Sequence, residues 1–330
     1  MTVPRPLQLS WLCRFLLLFA LPAFPYSLFA QWQATVGAQS KDKAQQVLAF
    51  LPNEMWIHAG DSITWKVATD EPHTITFLKA GQVRPPYQAG CPGFSVSGAA
   101  FDGSTCVTTG PLPNGQFFTV TFPNPGNYKL VCLIHQNMTG VVHVLDWSQP
   151  LPYDQAFYDV EAAKQRVALL SVHTPQCDHP NAAPDLSHSN QISAGAGQIV
   201  ATPGGSDTVS VMRFEQTAKV IHIGETVEWS NADPVTPHTI TFGTEPANPI
   251  PPSTNVILDA DGARHATINS TADNVHSGFL LAAPQDQTGL PQTPAGVTRF
   301  RATFTHAGVY PYICVLHDDL GMVGKVIVEP

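Results

Sequence analysis

The chain has 330 residues, long enough for one large domain or two of common size, and carries 30 Pro and 24 Gly but only 12% charged side chains. Few stretches keep a helical period, so the composition favours an all-β protein with many turns. The formal charge of −9 argues against nucleic acid and anionic lipid as partners, and for a partner with a basic patch, although the same charge also serves solubility.

Residues 1–30 read as a secretory signal. Arg5 and Arg14 precede an apolar run from Phe15, and Ala30 offers a small residue at the cut. The run Phe15–Ala30 is short for a membrane span, so a cleaved signal is expected, with an uncleaved anchor as the alternative. Cleavage near Ala30 leaves 14 basic against 25 acidic side chains, a formal charge of −11. The expected product is periplasmic or secreted, with no stable membrane span in the mature chain.

The segment 31–146 is expected to be a first β domain. It contains FLPNEMWIHAGDSITW (50–65), HTITF (73–77) and FTVTFPNPGNYKLVCLIH (118–135). ITW and HTITF alternate at period two, as strands with one buried face do. Cys91 and Cys106 flank a Gly/Ser-rich excursion and read as a disulfide in an exported protein.

Residues 147–190 are expected to form a helical linker and loop. In DQAFYDVEAAKQRVALL, positions Ala156, Val160, Ala163, Val167 and Leu170 make one apolar stripe, with Asp154 as N-cap. The helix should pack that stripe on one of the sandwiches. His173, Cys177, His179 and His188 crowd the following loop, but their spacing fits no standard metal site.

The segment 191–330 repeats the first domain. FEQTAKVIHIGETVEW (214–229), HTITF (238–242) and FRATFTHAGVYPYICVLH (300–317) follow in the same order, which marks a tandem duplication. Two Greek-key β-sandwiches are therefore expected. His58 and His222 recur at a strand end before a Gly-acid turn and read as surface histidines inherited with the fold, a docking role being the alternative.

Each repeat pairs a strand histidine with a distant Cys-x-x-His loop that ends on Met: His73, Cys132, His135 and Met138, then His238, Cys314, His317 and Met322. Two imidazoles and a thiolate in a plane, with a weak thioether above it, form the ligand set of a blue (type 1) copper site. Zinc prefers four firm tetrahedral ligands, and a thioether is a poor fourth. Two copper ions per chain are expected.

At these residues the chain resembles the cupredoxin family. CVLHDDLGM has the loop spacing of plastocyanins and pseudoazurins, and CLIHQNM the shorter spacing of amicyanins. The resemblance implies single-electron transfer between redox proteins such as cytochromes or copper enzymes. It also implies that the loop histidines His135 and His317 lie nearest the surface as electron doors. Two positions depart from the pattern. Ile134 and Leu316 stand where many members have proline, and Thr74 and Thr239 where many have asparagine, which bears on the potentials. Multicopper oxidases and copper nitrite reductases place histidine directly before the cysteine; here Val131 and Ile313 stand there, and no His-x-His pair occurs among the 13 histidines. A non-enzymatic carrier is the expectation, a copper-holding or copper-delivering protein the alternative, and an oxidase or nitrite reductase relative the remoter one.

Overall fold

The computed structural model describes residues 1, 29–85, 91, 93–172, 190–282 and 296–330. The signal-peptide expectation and the cluster of His173, Cys177, His179 and His188 lie outside the described residues. No described helix is long and apolar enough to cross a membrane.

The two repeats fold as two β-sandwiches that share a sheet. In the first, Glu54–His58, Thr139–Leu145, Gly126–Val131, Thr76–Phe77 and Val107–Thr108 form one five-stranded layer. In the second, Ala218–His222, Val323–Glu329, Gly308–Ile313, Thr241–Phe242 and Val275–His276 repeat that order. The opposite layers merge into a single eleven-stranded sheet. The join is an antiparallel pairing of Gly205–Phe214 with Gln45–Leu51, in register from Thr208 opposite Leu48 to Val211 opposite Gln45.

Alternation puts one face of each strand into a core. Trp65, Phe77 and Phe122 pack the first sandwich, and Trp229, Phe242 and Phe304 the second, all almost fully buried. Each such side chain stabilises its sandwich by about 1.5–3 kcal/mol or more, so each half has a full core of its own. A third, smaller cluster lies where the halves meet, with Val47, Ala49 and Leu51 from one side, Val209 from the other and Leu169 from the helix. The repeated acid after each Gly also finds its reason. Asp61 accepts from the His58 amide at 3.0 Å and Glu225 from the His222 amide at 2.6 Å, closing the same turn twice. The ring of His58 stacks on Trp147 with centroids 4.4 Å apart.

The helix spans Gln155–Leu170, and Asp154 caps it by accepting from the Phe157 amide at 2.9 Å. Its docked face is not the expected one. Val160 and Val167 are 53% and 66% exposed, whereas Tyr158 and Leu169 are buried. The reason is polar. The Tyr158 hydroxyl accepts from the Trp56 amide at 2.7 Å and donates to the Trp56 carbonyl at 2.9 Å. Gln155 bonds both backbone groups of Gln33, and Gln165 Oε1 accepts from the Asn53 backbone amide at 3.2 Å. Hydrogen bonds to strand backbone therefore set the rotation of the helix, which apolar counting does not see. Cys91 and Cys106 form the expected disulfide, their Cα atoms 5.4 Å apart.

Candidate metal centres

Both sites are built alike, at the end of each sandwich. His73 sits in a one-residue bridge with Leu112, donating to its carbonyl at 3.2 Å and accepting at 2.7 Å; His238 does the same with Leu280 at 3.1 and 2.8 Å. These bridges fix the histidine backbones just before the Thr76–Phe77 and Thr241–Phe242 strands. Cys132 and Cys314 follow the last residues of Gly126–Val131 and Gly308–Ile313. Each ligand loop is then closed by a backbone bond, from the Cys132 amide to the Met138 carbonyl at 3.0 Å and from the Cys314 amide to the Met322 carbonyl at 3.1 Å.

The result is two triangles of donor atoms. In the first, Cys132 Sγ lies 3.9 Å from His73 Nδ1 and 3.7 Å from His135 Nδ1, and the two nitrogens are 3.1 Å apart. In the second the corresponding distances are 3.8, 3.4 and 3.2 Å. A point equidistant from the three corners lies roughly 2 Å from each, a metal–ligand bond length for nitrogen and near that for sulfur. All six residues are buried, as are Met138 and Met322. Among the described residues these are the two groups of His, Cys, Asp or Glu close enough to hold an ion together.

The electrostatics suit a thiolate. Burial alone would raise both thiols, yet hydrogen bonds and charge from the paired imidazoles hold Cys132 and Cys314 well below the ordinary cysteine value. His238, opposed by burial but beside the Asp233 carboxylate, 3.9 Å from its Nε2, and bonded to Cys314, is pushed up to about 9. His135, also opposed by burial but bonded to Cys132 and Glu71, is pushed up to about 10. A deprotonated sulfur is the form that binds metal.

The departures from the family pattern have a structural answer. The Thr74 and Thr239 amides still point at sulfur, 3.4 Å from Cys132 Sγ and 3.3 Å from Cys314 Sγ. Their hydroxyls accept from the Leu133 amide at 2.7 Å and the Val315 amide at 2.9 Å, pinning the cysteine loop to the histidine strand.

Sequence reasoning missed two features. Gly37 and Gly195 lie at strand irregularities, both with left-handed backbone, at φ 72° and 77°. A Cβ on Gly195 would overlap the His238 imidazole, and one on Gly37 would overlap the Thr69 methyl and come 3.0 Å from His73 Nε2, so both glycines make room beside a strand histidine. The short pairs Val36-Gly37-Ala38 and Ala194-Gly195-Ala196, one in each repeat, carried that signal.

The second feature corrects an expectation. His135 and His317 are not at the surface; they are 1% and 2% exposed. Both sites lie near the seam, where Val235 of the second half joins the first half's core and Glu71 of the first half reaches His317. Between them stands the buried carboxylate of Glu71, with Oε1 3.2 Å from His135 Nε2 and Oε2 3.6 Å from His317 Nε2. Burial opposes its ionisation, but the His135 hydrogen bond and the charges of His317, His135 and His73 hold it at about 2.

A Greek-key sandwich that closes such a triangle at one end is a cupredoxin, and here two stand in tandem. The sequence matches the copper-binding protein family of plastocyanin and azurin over residues 36–145 and 200–329, most of its length, and the chain belongs to that family. Similar solved structures include oxidised plastocyanin from Dryopteris crassirhizoma, 18% identical, covering 42% of this chain and 99% of that one at a TM-score of 0.23. A Cu(I) form of an amicyanin mutant is 20% identical, covering 36% of this chain and 74% of that one at a TM-score of 0.21.

Proposed function

We propose that the protein binds two type 1 copper ions and carries single electrons between redox proteins outside the cytoplasm. The observation that carries this reading is the pair of buried Nδ1–Nδ1–Sγ triangles, each shaped for one metal. His73, Cys132 and His135 hold one copper; His238, Cys314 and His317 hold the other. Met138 and Met322, buried in the same clusters as the cysteines, would offer a thioether as a further, weak ligand. Copper contributes a one-electron couple, and the chain contributes a rigid, dry donor set. The buried donor set would hold its geometry through a change of oxidation state. Acidic surface charge favours a donor or acceptor with a basic patch, such as a cytochrome or copper enzyme. Val131 and Ile313 before the two cysteines leave no bridge to a catalytic copper, which favours a carrier over an oxidase.

One observation favours a second reading. The buried loop histidines remove the exposed edge expected of an electron door, as suits a copper-holding or copper-delivering protein. Stopped-flow reduction by a basic cytochrome separates the two. A carrier is reduced in a fast bimolecular step that slows with added salt. Reduction too slow for turnover, together with copper transfer to a chelating acceptor protein, would favour the store.

A further inference from the structure

Glu71 enters the seam between the sandwiches from the segment just before His73, and it is 6% exposed. Its two oxygens face two different metal-site histidines, one from each half, at 3.2 and 3.6 Å. The second repeat has no acid at the matching position, and its own buried acid, Asp233, faces the strand histidine His238 instead, with Oδ2 3.9 Å from Nε2. Two residues before His238 stands Thr236, whose hydroxyl lies 3.2 Å from that of Ser210. One carboxylate therefore serves two sites.

We propose that Glu71 is a positioning residue shared by both centres, and that it couples them energetically. The inference rests on the copper reading above. An imidazole that binds metal through Nδ1 keeps its proton on Nε2. When buried, that N–H needs an acceptor, and a carboxylate also makes the ring a stronger ligand. Here the acceptor is divided. With a metal on its Nδ1, His317 would pull harder through its Nε2–H on Glu71 and leave less negative charge for His135, and a metal-bound His135 would do the reverse. Occupancy of either site thus leaves the other less electron-rich and easier to reduce. Such coupling is reciprocal by thermodynamic necessity.

The substitution Glu71→Gln tests this well, because an amide keeps the shape but has one acceptor oxygen and no charge. Site 1 is read in the parent and in Cys314→Ser, which vacates site 2, each with and without Glu71→Gln. In the Glu71 background, vacating site 2 should lower the potential of site 1. With Glu71→Gln the potential of site 1 should rise overall, and the shift on vacating site 2 should fall by roughly half or more. No shift in the Glu71 background, or an equal shift in both, overturns the proposal. Should Glu71→Gln fail to fold, Glu71→Asp serves in its place, since the shorter acid keeps the charge but cannot reach both rings. A second arm needs no copper. In the metal-free protein, nitrogen NMR should show the His135 Nε2 proton hydrogen-bonded and slow to exchange, and lost in Glu71→Met, which leaves no acceptor. Its absence in the parent removes the bridge. If copper and colour fail to appear while this signal is present, the copper reading fails and the bridge stands.

Discussion

Asp207 is the residue whose chemistry conflicts most with its surroundings. It lies in the joining strand, 1% exposed, with Oδ1 unpartnered and Oδ2 accepting from the Asn53 side-chain Nδ2 at 3.5 Å. Burial pushes its carboxyl up to about 8. Between its unfolded value of 3.8 and about 8, the folded state binds more protons than the unfolded, so stability falls as pH rises through that window. Asp207→Asn should therefore match the parent near pH 4 and exceed it near pH 8 by about 1–3 kcal/mol, measured by urea unfolding. A constant difference across that range would contradict the buried-carboxylate account. The candidate donor set, by contrast, was plain from sequence. His73, Cys132, His135 and Met138 recur in type and order as His238, Cys314, His317 and Met322, and metal chemistry tolerates few substitutes. The role of Glu71 was not plain. Two residues before a ligand, a lone acid reads as solvated, and only the placement of the second half turns it inward.

Among the elements, the helix and the two glycine turns give the sharpest tests. Tyr158→Phe removes both hydrogen bonds to Trp56 and should cost about 1–3 kcal/mol. Val160→Ala and Val167→Ala, on the exposed stripe, should stay within about 0.5 kcal/mol. The reverse ranking in thermal unfolding would return the helix to its apolar-stripe docking. Period counting failed here because tyrosine and glutamine, ranked as polar, carry the docking face. Gly195→Ala would drive a methyl into His238 at a left-handed backbone position. Copper should then bind more weakly at the second site and be unchanged at the first, as read by titration of each colour band. Equal weakening at both sites would mean a general loss of fold.

At the scale of the molecule, the halves are fastened along a continuous sheet and by contacts that reach the sites. Arg213 donates to the Leu320 carbonyl in the second ligand loop at 2.6 Å and to the Asp42 carbonyl of the first half at 2.7 Å. The duplication was legible from repeated motifs, but not the way the copies face each other, because pairing of Gly205–Phe214 with Gln45–Leu51 leaves no mark in either repeat alone. The ligand loops differ, with two residues between His135 and Met138 and four between His317 and Met322, so two resolvable one-electron waves are expected in a redox titration. The central claim is the presence of two complete type 1 donor sets, one in each half. Copper content and thiolate-to-copper absorption of the reconstituted protein test it most directly, with Cys132→Ser and Cys314→Ser alongside. Two coppers per chain are predicted, with intense visible colour, and each substitution should remove one copper and about half the absorption. A single copper at saturation, with one of the two cysteines still freely reactive toward a thiol reagent, would contradict it.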